Sequence, residues 1–383
     1  MDKFKDIRPY QDEEIRPVLN LLLKDEEMLD SIARFYYPRL TRFFSEAMKK
    51  VAGRKLRSQV KTVHDVKSMQ DVIAGYMEKM IHDTTTQLTN SGLDHLQEGR
   101  NYLFISNHRD ITMDPAFVNY ILYHAGRETL QIAIGDNLLK KPFVTDLMRL
   151  NKSFIVHRSL KGRELLQALK LLSEYMHFCI ANQQNVWIAQ REGRAKDGID
   201  KTDPALLKML AMGRRDLPFS LSISELHVVP VTISYEYDAC DVLKADELYQ
   251  IEKNGNFIKT DKSDIQSIVK GMVGFKGRVH VAFGNELEIK TDNPDDLAEK
   301  IDSQILENYV LSDSNFLALE KLRNYGLAPE RLLGNVLENR NISSKSRKKF
   351  DNRLNGVNRS LHKHFLFGYA NPVIKKLEAG FTV

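Results

Sequence analysis

Cysteine is nearly absent: Cys179 and Cys240 are the only two in 383 residues. Two isolated thiols make neither a disulfide framework nor a Cys-x-x-Cys metal pair, which predicts a reducing cytoplasm. Long apolar runs are also missing. The longest candidate, Leu217 to Tyr235, is broken by Glu225, His227 and Pro230, so no membrane-spanning helix is expected. The chain opens Met-Asp-Lys-Phe-Lys-Asp, charged where a secretory signal needs an apolar core. Several catalytic motifs are absent as well. There is no Gly-x-Ser-x-Gly hydrolase elbow, no phosphate loop ending Gly-Lys-Ser/Thr, no His-Glu-x-x-His and no Gly-x-Gly-x-x-Gly. His108-Arg109-Asp110 has the letters of a kinase catalytic loop, but Pro115 stands where the metal-binding Asn belongs, and Asp-Phe-Gly does not occur.

What is present is an ordinary globular composition, 42% hydrophobic and 28% charged. Fifty-six Lys and Arg against 51 Asp and Glu leave +5. The excess is uneven: residues 343–383 hold nine basic and two acidic side chains. This stretch is the expected contact for an anionic membrane surface. A different class of protein, a basic nucleic-acid or membrane binder without catalysis, would use the same stretch. It has few aromatics for base stacking (Phe350, Phe365, Phe367, Tyr369) and no recognition motif, so no nucleic-acid partner is expected. For an enzyme, removing residues 343–383 should mainly weaken membrane association.

Periodicity divides the chain into three. Residues 1–98 read as a helical subdomain, with polar Thr84 to Asn90 loosening the pattern. Residues 99–292 alternate short apolar runs with helical stretches, which predicts an α/β domain built on a central, mostly parallel or mixed sheet flanked by helices. Its strands are expected at 102–105, 130–134, 152–156, 186–189 and 228–235, with 279–283 at an edge. Residues 293–383 return to helices, a basic C-terminal extension. Gly255 to Lys262 reads as a loop, and His362 and His364 as one strand face or a loop, a spacing also open to metal binding.

Polar clusters follow three of these strands, where open α/β sheets gather their function. The first is Ser106-Asn107-His108-Arg109-Asp110-Ile111-Thr112-Met113-Asp114-Pro115. His108 can accept a proton from an alcohol near neutral pH, and a carboxylate on its other nitrogen would fix the tautomer. Asp110 and Asp114 both qualify. Neither shares a helix face with His108, because two residues turn about 200° and six about 600°, so the spacing needs a turn entering a helix. Pro115 suits the first turn and Asp114 the N-cap, a role that competes with partnering His108. Alone, His108 reads as a strand-end histidine, and Ser106 and Asn107 as turn formers. The second cluster is His157-Arg158. The third, Gln190 to Gly198, holds Glu192, Gly193, Arg194 and Lys196. Arg158, Arg194 and Lys196 can hold a phosphate, Gly193 permits close backbone approach, and Glu192 can orient an arginine or a hydroxyl. Each alone reads as a surface charge. Trp187 and Cys179 read as core.

A histidine base without a nucleophilic Ser or Cys points to direct attack by a substrate alcohol on an activated acyl group such as a thioester, with no metal and no covalent enzyme intermediate. In order, Asn107-His108 with a later Asp, Ser153-Phe154-Ile155-Val156-His157-Arg158, Arg191-Glu192-Gly193-Arg194 and Val229-Pro230-Val231-Thr232-Ile233 resemble the four blocks of the glycerolipid acyltransferases. That family includes glycerol-3-phosphate and 1-acylglycerol-3-phosphate O-acyltransferases. The resemblance spans roughly residues 100 to 235, and the blocks are specific only together. Two departures mark a divergent branch: five residues rather than four separate His108 from Asp114, and one residue is missing between Gly193 and Arg194. The helical N-terminal region also resembles soluble plastid-type glycerol-3-phosphate acyltransferases.

The resemblance implies an O-acyltransferase with His108 as general base and Asp114 or Asp110 as its partner. Arg158, Arg194, Lys196, Glu192 and Gly193 would lie at the substrate phosphate, and Pro230 would shape the acyl pocket. It further implies no permanently bound cofactor, acyl-CoA or acyl-carrier protein as donor, and a phosphorylated glycerol or lysolipid acceptor. The work would take place at the inner face of the cell membrane. Another lipid hydroxyl, such as that of an amino-acid-containing lipid, is a same-class alternative acceptor.

Overall fold

The computed structural model describes residues 2–328, 336, 337 and 340–383. Its contacts fall into two compact units, residues 1–79 with 130–175, and residues 80–129 with 176–383.

The first unit contains helices α1 (Asp12–Leu22), α2 (Glu26–Tyr36), α3 (Pro38–Gln59) and most of α4 (Val66–Thr84). Strand β3 (Leu130–Gly135), helix α6 (Pro142–Leu150), strand β4 (Ser153–Val156) and much of α7 (Gly162–Ala181) complete it. α1 opens with Asp12, Glu13 and Glu14, charges that favour a helix N-terminus. It buries Ile15, Leu19 and Leu22 against Met28, Val60, Phe143 and Leu150. Burying side chains of this size is worth about 1.5–3 kcal/mol each. β3 and β4 run parallel, Ile132 opposite Ser153.

The second unit carries five strands: β1 (Thr85–Ser91), β2 (Leu103–Ser106), β5 (Asn185–Ala189), β6 (Val228–Tyr235) and β7 (Gly277–Phe283). Their order is β1-β7-β6-β2-β5. All neighbours are parallel except β6 and β7. This is the central mixed sheet that the alternating pattern predicts. Every residue of β6 is buried, as expected of a strand covered on both faces. β7, expected at an edge, lies between β6 and β1; the edge strand is β1, in a segment whose polar Thr-Thr-Gln-Leu-Thr-Asn-Ser composition hid it.

The helices of this unit are α5 (Met113–His124), α8 (Pro204–Leu210), α9 (Phe219–Ser224), α10 (Asp241–Asn254), α11 (Asp261–Val273), α12 (Pro294–Glu307), α13 (Asp313–Asn324), α14 (Ser344–Asn355) and α15 (His362–Glu378). The loop expected at Gly255 to Lys262 runs into α11. His362 and His364, expected on a strand or loop, begin α15, where His364 Nε2 lies 2.7 Å from Glu252. The basic extension packs into the unit: Phe350, Phe365, Leu366, Tyr369 and Val373 are buried with Phe316 and Leu319 of α13. Truncating residues 343–383 would therefore expose a core, and cannot act chiefly on membrane association as expected from charge alone. Within α15, Pro372 has no N–H for the Gly368 carbonyl. Gly198, at φ +80°, approaches that carbonyl so closely that a Cβ would lie 2.3 Å from the oxygen. Asn371 Nδ2 donates to the Asp197 carbonyl at 2.7 Å. The C-terminal helix thus braces the loop after β5.

Candidate active site

β2 ends at Ser106, and the next residues are held by buried hydrogen bonds. Asn107 is fully buried. It accepts the Ile233 N–H at 2.8 Å and donates to the Ile233 carbonyl at 3.1 Å, tying the turn to β6. His108 follows with its side chain only 14% exposed, and Nδ1 lies 2.9 Å from Asp114 Oδ2. The indole of Trp187 stands edge-on to the imidazole, centroids 6.0 Å apart, and donates to Ser106 Oγ at 3.1 Å.

The two candidate carboxylates have different partners. Asp114 Oδ2 also accepts the N–H groups of Arg109 at 2.6 Å and Asp110 at 2.9 Å, while Oδ1 accepts the Tyr235 hydroxyl at 2.7 Å. Asp110 Oδ1 instead accepts the N–H groups of Thr112 and Met113, at 3.0 and 2.9 Å. Both N–H groups lie at the start of α5, where no intrahelical acceptor is available. The N-cap position belongs to Thr112, whose own side chain makes no capping bond, and Asp114 lies inside the first turn, so the capping expected of Asp114 does not occur; Asp110 accepts the two N–H groups instead. Burial, and then the charge of Asp114, raise the Asp110 pKa above the ordinary carboxylate range. Burial and Asp114 push the Tyr235 phenol well up, so it remains a donor.

Behind this turn lies an ionic layer. Arg109 donates to Asp200 Oδ2 at 2.6 Å and to the Gly198 carbonyl at 3.0 Å. Burial works most strongly against its charge, but Asp200, Tyr309 and Asp238 together raise its pKa. Lys244 Nζ donates to the Arg109 carbonyl at 2.7 Å and pairs with Asp238. Lys276 is wholly buried, and burial draws its pKa down to about 8.

The loop after β5 meets this turn through one backbone bond, Ala195 N–H to the His108 carbonyl, 2.8 Å. Gly193 there has φ +76° with nothing within 4 Å of a Cβ position. Arg194 Nη2 donates to Ser267 Oγ at 3.1 Å, while its Nη1 is buried without a hydrogen-bond partner. Lys196 pairs with Glu247 at 2.8 Å, and Glu192 is exposed. Thr202, at the far end of the loop, donates through both N–H and hydroxyl to Asp302. Burial raises the Asp302 carboxyl to about 6.

The structure therefore brings His108, Asp114 and Asp110 together and sets Glu192, Gly193, Arg194 and Lys196 on the adjoining loop. Arg158 belongs to the other unit. There its N–H donates to Asp136 at 3.2 Å, and its guanidinium stands where a Gly135 Cβ would lie 2.9 Å from Nε. Pro230 is buried in β6, and its carbonyl accepts the Gly284 N–H at 2.8 Å. Sequence reasoning missed Tyr235, although it sits at a strand end like His108, and missed Asp200, whose only signal was its place in a polar loop. Among the described residues no group of three or more His, Cys, Asp or Glu is arranged to hold a metal ion. None of the described helices is long and apolar enough to cross a membrane.

Residues 87–234 match the family model described as Acyltransferase. Curated relatives include the glycerol-3-phosphate acyltransferase of Aeromonas hydrophila subsp. hydrophila, 26% identical over 193 residues, covering 50% of this chain and 22% of the relative. That of Baumannia cicadellinicola subsp. Homalodisca coagulata is 26% identical over 203 residues, covering 51% and 22%. That of Pseudoalteromonas atlantica is 30% identical over 141 residues, covering 37% and 16%. The chain thus spans about a fifth of the length of the curated relatives it matches. Among solved structures, the 1-acyl-sn-glycerophosphate (LPA) acyltransferase PlsC from Thermotoga maritima aligns with a TM-score of 0.39 at 14% identity, covering 74% of this chain and 92% of that one. Part of the chain is thus similar, at low identity, to glycerol-3-phosphate acyltransferases. His108, Asp114 and Arg194 all fall inside the matched stretch.

Proposed function

We propose that the chain is an O-acyltransferase that moves a fatty acyl group from an acyl thioester to a hydroxyl of glycerol-3-phosphate or 1-acylglycerol-3-phosphate. The observation that carries this reading is the 2.9 Å contact between His108 Nδ1 and a carboxylate that three other donors hold in place. Asp114 keeps the proton on Nδ1, which leaves Nε2 as the acceptor. The acceptor alcohol gives its proton to Nε2 as its oxygen attacks the thioester carbonyl carbon. The tetrahedral intermediate then collapses, the carbon–sulfur bond breaks, and the imidazolium returns the proton to the leaving thiolate. Ester and thiol are the products, and His108 is regenerated neutral. Arg194, whose Nη1 lacks a protein partner, is the best-supported group for the acceptor phosphate, with Gly193 allowing close approach. Lys196 contributes positive charge in this reading, Glu192 orients the loop, and Pro230 shapes the wall along the acyl chain.

The donor is acyl-CoA or acyl-carrier protein, and the work is done at the inner face of the cell membrane. The test is a matrix of acyl donors and acceptors assayed for thiol release with the wild type and His108→Ala. Acceptor-dependent release that falls by about 10³-fold or more in a folded His108→Ala protein is the expected result. Retained turnover in that variant overturns the mechanism. Equal use of an unphosphorylated lipid hydroxyl overturns the choice of acceptor.

A further inference from the structure

Unlike the C-terminal extension, α3 exposes most of its large apolar side chains. Its 22 residues hold seven Lys and Arg and one acidic residue, Glu46. One face packs on α2: Thr41 donates to the Ala33 carbonyl at 3.0 Å, Ala52 is buried, and Gly53 lies against Leu29. On either side of the break in helical backbone at Phe44, Leu40, Phe43, Phe44, Ala47 and Val51 are all exposed. Phe43 is 77% and Phe44 61% exposed, and the helix bends at Phe44. Burying such side chains is a large driving force in water, and their exposure in a row marks an interaction surface. Arg39, Lys50, Arg54 and Lys55 are exposed on the same helix, with Lys55 Nζ 4.8 Å from the centre of the Tyr36 ring.

We propose that this face of α3 is the surface by which the protein docks on an anionic lipid bilayer. An apolar stripe with cations beside it is the pattern of a helix lying in a membrane interface: rings enter the acyl boundary and cations meet lipid phosphates. A second copy of the chain is disfavoured as occupant, because two such faces would bring like charges together. The C-terminal extension has its apolar side chains in the core, and its cations Arg347, Arg353 and Lys375 are paired with Glu320, Asp241 and Glu378. Docking here does not depend on the acyl-transfer chemistry, and its test needs no turnover.

The full chain is sedimented with vesicles of phosphatidylcholine alone or mixed with phosphatidylglycerol. Binding to the mixed vesicles should weaken about tenfold or more in Phe43→Ser/Phe44→Ser and in Arg39→Gln/Lys50→Gln/Arg54→Gln. Added salt should lower it as well. Lys345→Gln/Lys348→Gln/Arg359→Gln, on the exposed part of the extension, should leave it within about twofold. A second readout is Phe43→Trp. Its emission should shift to the blue with mixed vesicles, against a buried Trp187 background. Unchanged binding in the α3 variants overturns the proposal, and so does equal loss from the C-terminal substitutions. A Phe43→Trp signal that answers an acidic soluble protein but not the vesicles overturns it in favour of a protein partner.

Discussion

The turn after β2 and the loop after β5 are both strand-end clusters rich in charge, yet they are built in opposite ways. In the first, Asn107, Asp110 and Asp114 are buried and their polar atoms answer named backbone donors or acceptors. In the second, Glu192 and Arg191 are exposed, and Gly193 has open space beside it. A proton-transfer group needs a fixed direction, and a turn whose buried amide and carboxylates are hydrogen-bonded provides one. A binding group needs unspent donors, and the loop keeps them. The backbone bond from Ala195 to His108 joins the two.

The largest effect that could break this contrast lies in the first turn. Asp114→Asn keeps the shape but places an amide where His108 Nδ1, two backbone N–H groups and a phenol all need an acceptor. Acceptor-dependent kcat/KM should fall on the order of 10³–10⁴-fold. Asp110→Asn still has an oxygen for Thr112 and Met113 and should hold activity within about threefold. Equal losses in the two variants, measured at matched folded fraction, would show that Asp114, like Asp110, only holds the turn in shape and does not orient His108.

In the second loop the effect should be smaller and of another kind. Arg194→Ala should lower kcat/KM for a phosphorylated acceptor by about 10–100-fold, chiefly through KM, and leave unphosphorylated acceptors alone. A drop shared by both acceptor classes would mean that the Arg194–Ser267 contact shapes the loop instead of binding phosphate.

The far end of that loop is tied down by Asp302, and here the contrast can be sharpened by pH. The folded carboxyl titrates at about 6, above its unfolded value of 3.8. The folded state therefore binds this proton more tightly, and stability from this group is lost as pH rises from about 4 through about 6. Asp302→Asn keeps an acceptor for Thr202 and should remove that slope. After discounting for partial exposure, the wild-type-minus-variant difference should change by about 1–2 kcal/mol across the window. Urea unfolding at several pH values reads it, and a flat difference would refute the assignment.

Much of the frame was legible because burial leaves a pattern. β6 is apolar along its length, since both faces are covered, and it lies where the sequence places it. β1 was not legible: its polar side chains follow from its edge position, and only pairing with β7 makes it a strand. Counting charges in residues 343–383 could not reveal that Phe350, Phe365 and Tyr369 pack inward, because pairing and packing are long-range. After β2, the strand-end rule picked out His108 and both aspartates, which the structure brings together. It could not divide the partners of Asp110 and Asp114, because both are the same residue type four positions apart. Tyr235 would have emerged had the same rule been applied to the end of β6.

Gln190 offers the smallest and most discriminating comparison, because it joins β5 to the open loop. Its backbone is used: N–H donates to Ser106 at 2.8 Å, and the carbonyl accepts from Asp203 at 2.9 Å. Its side-chain amide is buried with neither atom paired, a state that costs about 1–3 kcal/mol. Gln190→Met has similar volume, leaves both backbone bonds intact and removes the stranded polar atoms. It should raise the free energy of unfolding by about 0.5–1 kcal/mol, measured as a higher urea midpoint at unchanged m-value. Lowered stability, or an activity loss larger than that of Arg194→Ala, would mean that the amide reaches a ligand, and that the working part of the loop begins at the strand itself.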